Sequence, residues 1–286
     1  MKLGVALSGG GIRGIAHAGA LKALEDNGIN VDVIGGTSSG SLIASLYALG
    51  YSPYYIYILF KKYAKDIAQI NSAPIISGIG NFMMNKKVVF SGLKTGESIE
   101  QAYNQLALKK GIRKISDING IPLVIPAVDV GNSKEYVFTN KIPINTKDES
   151  QYITDISIGK AVRASSSFPA VFCPCEFREH KFLDGGVLDN IPVIEVKKQG
   201  ADKVIAINFK ADDIDKNSNI MDIAMRTIDI MGNKISEESL EKSDYILTIA
   251  TDKTGLLDVE KLDSCYQYGY KAVIKNLEKI KEIISS

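Results

Sequence analysis

The chain has 286 residues, 45% of them hydrophobic and 23% charged, with a formal net charge of +1. That length and balance exclude a disordered chain and supply ample material for a buried α/β core. Near-zero charge supplies no broad basic surface, so no nucleic-acid partner is expected. Cys173, Cys175 and Cys265 are too few and too unevenly spaced for a disulfide framework. Cys173 and Cys175 read as buried thiols on one face of a strand. Only His180 could join them, so no metal and no other cofactor is expected. No secretory leader and no bilayer-length apolar run is visible. The expectation is a cytoplasmic protein that can touch membranes peripherally.

The first strand is predicted at residues 3–7, followed by the turn Ser8-Gly9-Gly10-Gly11. Residues 12–27 read as a helix, with Ile15, Ala18, Leu21 and Leu24 on one side and Gly28 as its stop. A second strand at 31–34 leads into a helix at 39–49, ending at Gly50. Two successive strand–helix units imply a largely parallel, buried sheet. A tyrosine- and lysine-rich helix follows from Pro53 to about residue 70, then an irregular excursion over 71–94. Residues 97–109 return to helix, capped at Thr95; 123–130 and 135–139 read as strands and 156–165 as a helix. A strand at 177–183 ends in Asp184-Gly185-Gly186, and Pro192 opens a short helix at 193–199. The rest reads as a strand at 203–209, a helix at 220–242, a strand at 245–249 and a final helix at 259–284. No repeat or linker interrupts the chain. One domain over 1–286 is expected, with a motif-bearing core at 4–196 and residues 202–286 completing the fold.

Gly36-Thr37-Ser38-Ser39-Gly40 stands between the second strand and its helix, the arrangement of a nucleophile elbow. The flanking glycines permit a sharp turn with Ser38 at its tip. Ser39 and Ser41 read as turn and helix-cap residues. A serine hydroxyl needs a base and a site for the developing oxyanion. The turn Gly9-Gly10-Gly11-Ile12-Arg13-Gly14 can supply the second, because consecutive glycines ahead of a helix leave backbone amides uncovered. The same amides suit a phosphate. Gly9, Gly11 and Gly14 also satisfy the dinucleotide fingerprint, so a nucleotide-binding Rossmann module is an alternative. That module expects an acid at the end of the second strand, whereas Asp32 lies near its start. A Walker loop is excluded, since neither turn contains Gly-Lys-Ser/Thr.

Two histidines limit the choice of base. A hydrolase triad would have to join His180 to an earlier acid such as Asp129, while His17 reads as a packed or surface residue. Asp184 is the better candidate: it ends an apolar strand, and Gly185-Gly186 lets its carboxylate approach another backbone. Burial would have to raise its pKa for it to act as a base.

These motifs in this order, with Ala161-Val162-Arg163-Ala164-Ser165-Ser166-Ser167-Phe168-Pro169 and the run from Asp184 through Asn190-Ile191-Pro192, resemble the patatin-like phospholipase family. The matching motifs span residues 4–196, and residues from Asp202 on carry none. The resemblance implies a three-layer α/β/α sandwich around a central, mostly parallel sheet. It implies a calcium-independent lipid acyl hydrolase working through an acyl-enzyme, with Ser38 as nucleophile and Asp184 as general base. The amides of Gly9, Gly10 and Gly11 would form the oxyanion hole with Arg13 holding the turn, and Gly14, Gly36, Gly40, Gly185 and Gly186 would support it. The implied partner is a phospholipid or other acyl-ester lipid. A catalytically silent lipid-binding relative is the remaining alternative. For membrane contact the candidates are residues 54–60 with Lys61, Lys62 and Lys65, and the cluster Phe82-Met83-Met84. Core packing of Ile56, Ile58, Leu59 and Phe60 beneath a solvated lysine face is the competing reading of the helix.

Overall fold

The computed structural model describes residues 1–68, 95–144, 146, 148–169, 171–210, 220–252, 254 and 258–286. The predicted 71–94 excursion, including Phe82, Met83 and Met84, lies outside the described residues.

Among the described residues, nine strands build one mixed, mostly parallel sheet with helices on both faces. In chain order the strands are β1 (Leu3–Leu7), β2 (Val33–Gly36), β3 (Leu123–Asp129), β4 (Lys134–Thr139), β5 (Tyr152–Ile153), β6 (Cys175–Phe177), β7 (His180–Asp184), β8 (Lys203–Phe209) and β9 (Tyr245–Ile249). The path across the sheet is β5-β4-β3-β2-β1-β8-β9, with β6 and β7 joining beside β3. β1 lies between β2 and β8, parallel to both. The chain turns that follow β1 and β2 therefore emerge side by side at one end of the sheet, where ligands of open α/β folds bind.

The helices are α1 (Ile15–Asp26), α2 (Ser39–Ala48), α3 (Pro53–Ala68), α4 (Glu97–Leu108), α5 (Ile158–Ser165), α6 (Val193–Lys198), α7 (Ile220–Ile235), α8 (Glu237–Glu241), α9 (Leu262–Lys275) and α10 (Leu277–Ser285). Alternation along the central strands divides the core. Val5, Leu7, Ile34, Ile205 and Ile207 face the larger cluster, shared with α1, α2 and α9. Ala6, Val33, Val204 and Ala206 face a smaller one with Val193 and Val196 of α6. At six residues α6 cannot persist alone. Burial of its two valines, about 1.5–3 kcal/mol each, holds it on that small-residue face.

One edge of β3 accounts for the position of the site. β4 pairs along one side of β3. On the other side β2 covers only the start, with Ile34 opposite Leu123 and Gly35 opposite Val124. β7 arrives from the opposite direction and covers the end, with Phe182 opposite Asp129 and Asp184 opposite Ala127. The ends of β2 and β7 thus point at each other across the gap at Ile125 and Pro126. A proline is tolerated there because its missing N–H lies beside a carbonyl that already faces the gap, against Gly185.

Several predicted boundaries move. β2 begins at Val33, two residues later than the apolar run, and extends through Gly36. Residues 11–14 form a 3-10 turn ahead of α1. Residues 177–183 are not one strand: β6 and β7 form a hairpin turning at Arg178, which takes φ 54°. The two long C-terminal helices each divide, at Ser236 and at Asn276. Gly96, in the left-handed region at φ 73°, precedes α4, with Thr95 Oγ1 accepting from the Glu97 amide. Cys173 and Cys175 do not share a strand, since β6 starts at Cys175.

Candidate active site

Ser38 sits between β2 and α2 with φ 53° and ψ −122°. Few L-residues adopt that backbone, and holding it costs about 1–3 kcal/mol. Neighbouring hydroxyls stabilise it. The Ser38 amide donates to Ser165 Oγ at 3.1 Å. The Ser38 carbonyl accepts from Ser41 Oγ at 2.6 Å and from Ser166 Oγ at 3.2 Å. Ser41 lies in the first turn of α2, whereas Ser165 closes α5 and Ser166 caps it. That helix is fixed at Arg163, whose guanidinium meets Glu100 of α4 at 2.7 Å. Gly36 and Gly40 make the elbow physically possible: a side chain on Gly36 would strike the Gly40 carbonyl, and one on Gly40 the Leu7 carbonyl.

Asp184 ends β7 on the same edge of β3. Its amide donates to the Ser167 carbonyl at 3.1 Å, so α5's last turn holds both Ser38 and Asp184. The residue is 2% exposed. Burial pushes its pKa up to about 7, against the smaller opposing pulls of the nearby Ser38 hydroxyl and the Gly186 amide. Oδ1 accepts from that amide at 2.8 Å. Oδ2 is buried and meets no donor at full hydrogen-bond geometry, so the serine contact is a close approach rather than a completed bond. Such contacts tighten when substrate binds. Gly185 lies against the Pro126 carbonyl and Thr37, and Gly186 against Asn190.

The glycine turn after β1 is brought to the same place. A Cβ on Gly9 would lie 3.1 Å from Ser38 Cβ. Here one expectation changes: the Gly9 amide is already occupied, donating to Asn190 Oδ1 at 3.1 Å and to the Asn190 carbonyl at 3.2 Å. The amides of Gly10 and Gly11 have no acceptor among the described residues. Arg13 turns back, its Nε donating to the Gly10 carbonyl at 3.3 Å and its guanidinium lying over Phe209. Gly14 packs on Ser39.

His17 lies buried beneath this turn, its Nε2 2.9 Å from the Ser8 carbonyl. Burial lowers its pKa to about 4, so at neutral pH it is an uncharged donor supporting the turn. His180 does pair with Asp129, at 3.0 Å, but at the other end of β7. Four residues of strand, about 13 Å, separate it from Asp184, and Phe182 stands between them. Asp32 accepts from the Leu3 amide at 2.8 Å, at the opposite end of β1 from the glycine turn, which leaves the dinucleotide reading without its ribose ligand.

That Ser165, Ser166 and Asn190 would bond to Ser38 and Gly9 was not legible in the sequence. Their signal was polar residues inside two otherwise apolar stretches, 161–169 and 184–192. Among the described residues, no group of three or more His, Cys, Asp or Glu could hold a metal ion. On α3, Ile56, Leu59 and Phe60 are buried, but Tyr54, Tyr55 and Ile58 remain exposed. No described helix is long and apolar enough to cross a membrane.

The chain belongs to the patatin-like phospholipase family, whose model matches residues 5–197. It is 29% identical over 302 residues to lysophospholipase NTE1 of Lodderomyces elongisporus, covering 93% of this chain and 18% of that protein. With lysophospholipase NTE1 of Meyerozyma guilliermondii it shares 32% over 206 residues, covering 72% and 12%. The chain therefore spans less than a fifth of the length of these relatives. Among solved structures, VipD from Legionella pneumophila has the same fold, with a TM-score of 0.53 at 15% identity over 97% of this chain and 67% of VipD. So does ExoU, in the ExoU-SpcU complex from the type III secretion system of Pseudomonas aeruginosa, with a TM-score of 0.52 at 19% identity over 98% and 51%.

Proposed function

We propose that the chain hydrolyses fatty acyl esters of phospholipids or lysophospholipids through Ser38 and Asp184. The observation that carries this reading is the buried Asp184, with a pKa raised to about 7, beside a serine held in a strained turn. A base poised near neutral pH is what an unactivated hydroxyl requires. Ser38 Oγ attacks the ester carbonyl and its proton passes to Asp184. The oxyanion forms against the amides of Gly10 and Gly11, at the start of the 3-10 turn. The tetrahedral intermediate collapses, and the alcohol leaves with the proton from Asp184. Water then attacks the acyl-enzyme, Asp184 takes its proton, and the fatty acid leaves as Ser38 Oγ recovers a proton. No step in this sequence calls for calcium.

Peripheral membrane contact is assigned to the exposed face of Tyr54, Tyr55 and Ile58. Cys175 and Cys265, buried as thiols, suit a reducing, cytoplasmic setting. The test is labelling with a fluorophosphonate followed by hydrolysis of a lysophospholipid. Ser38→Ala should lose both reactions. Labelling that persists in Ser38→Ala would end the proposal.

A further inference from the structure

The segment after the Asp184 turn behaves as a strap across the site. Thr37 Oγ1 donates to the Asp189 carbonyl at 2.8 Å, tying the strap to the residue before Ser38. Asn190 then holds the other turn, accepting the Gly9 N–H through both Oδ1 and its own carbonyl. The fit is tight: a Cβ on Gly9 would come 2.5 Å from Asn190 Oδ1, and one on Gly186 3.0 Å from the same atom. Ser239 Oγ donates to the Ile191 carbonyl at 2.7 Å, and Gly232 of α7 lies against the Gly186 carbonyl and Asn190. The strap is thereby held from outside by the C-terminal third of the chain, which carries no motif of its own.

We propose that Asn190 is a positioning residue for the oxyanion site. A shared hydrogen bond to two oxygens of one residue fixes the plane of the peptide entering Gly9. That plane sets the path of the next two peptides, whose amides are the uncommitted ones. Asn190 thus acts through Gly9 and does not touch the ester. It also links the oxyanion turn to the Asp184 turn, because its Oδ1 packs on Gly186 as well as on Gly9. This inference rests on the hydrolase reading, since it assigns Asn190 a role in that reaction.

The experiment compares Asn190→Ala, which removes the side-chain acceptor, with Asn190→Asp, which keeps an oxygen in its place. Assays at about pH 8.5 keep Asp184 ionised even beside an added carboxylate. Two readouts are taken: hydrogen exchange of the Gly9 amide, and kcat and KM on a short-chain ester. In Asn190→Ala the Gly9 amide should exchange at least about tenfold faster. Its kcat should fall roughly 10- to 100-fold, as for a misplaced donor, while KM changes less than about threefold. Asn190→Asp should restore both exchange protection and most of kcat.

Unchanged Gly9 exchange in Asn190→Ala, or kcat within about threefold of wild type, would overturn the proposal. So would Asn190→Asp that protects the Gly9 amide yet stays as slow as Asn190→Ala, because Asn190 would then act through Nδ2. A fold defect would depress both variants and their melting temperatures together, which also counts against a positioning role. Wild-type protein without Ser38-dependent labelling would refute the hydrolase reading instead. The exchange arm would still decide whether Asn190 sets the turn.

Discussion

β7 and its partner β3 place two carboxylates at opposite ends of one strand pair, and the two behave in opposite ways. Asp129, opposite Phe182, is desolvated, yet its pKa is pulled below the ordinary value. The His180 hydrogen bond and the Gly131 and Lys181 amides together outweigh the upward push of burial. Asp184, two residues further along β7, is almost fully buried with one backbone amide and a neutral hydroxyl, and its pKa rises to about 7. Burial acts on both. What separates them is the supply of partners: Asp129 is stabilised as an anion, whereas Asp184 is left able to take a proton. A histidine beside an acid is the usual sign of a hydrolase, yet the base proposed here is the acid without one.

The comparison breaks most completely at the nucleophile. Ser38→Ala should abolish phosphonate labelling and ester hydrolysis, whatever happens at Asp129. Asp184→Asn should lower kcat roughly 10²- to 10⁴-fold with little change in folding, as loss of a general base does. In wild type, kcat/KM should climb with pH along a limb centred near 7; a limb near 4 would mean that Asp184 is solvated in solution.

The same shift has a signed consequence for stability. The folded pKa lies above the ordinary value of 3.8, so the folded state holds this proton more tightly. The stability this contributes is complete below about pH 4 and is lost as pH rises through about 7. Asp184→Asn should therefore be more stable than wild type at about pH 8, by about 4 kcal/mol, and the gap should close near pH 4. Thermal melts at the two pH values check the sign. Ser165→Ala removes the acceptor of the Ser38 amide and should slow labelling by about 5- to 10-fold, the worth of one such bond. The smallest effect belongs to the other end of β7. His180→Ala should keep activity within about threefold and lose about 1–2 kcal/mol of stability with its Asp129 contact. Large loss of kcat in that variant would erase the distinction between the two carboxylates.

The parts of this molecule legible in its sequence are those that depend on side chains of one kind in a row. β8 falls where its apolar run falls because it lies between β1 and β9 and its neighbours demand such residues. The edge strand β9 is marked by apolar residues at its buried positions, Leu247 and Ile249. β2 was displaced because Gly35 and Gly36 extend the strand through backbone pairing that leaves no hydrophobic trace. The β6–β7 hairpin escaped notice because its turn uses Arg178 and Glu179, not the glycine or asparagine that usually marks such a turn. In the site, Ser38 and Asp184 were readable because each carries its own glycines. Ser165 and Asn190 were not, since their significance lies in which amide each one meets across 127 and 181 residues of chain. The occupied amide of Gly9 was hidden for the same reason: a free amide and an occupied one look alike in sequence.

The abutting ends of β2 and β7 have a consequence for biosynthesis. Along β3 the distance between serine and aspartate is set by the register of a strand that belongs to neither. Ser38 leaves the ribosome long before its partners, and a nascent chain ending before β7 would hold the proposed nucleophile without the proposed base. The proposed pair would be complete only once β3 has accepted strands from both directions, with the end of α5 beside them. For the lipid hydrolase proposed above, that late assembly would act as a safety catch. Incomplete or proteolysed chains would carry the serine without its proposed base.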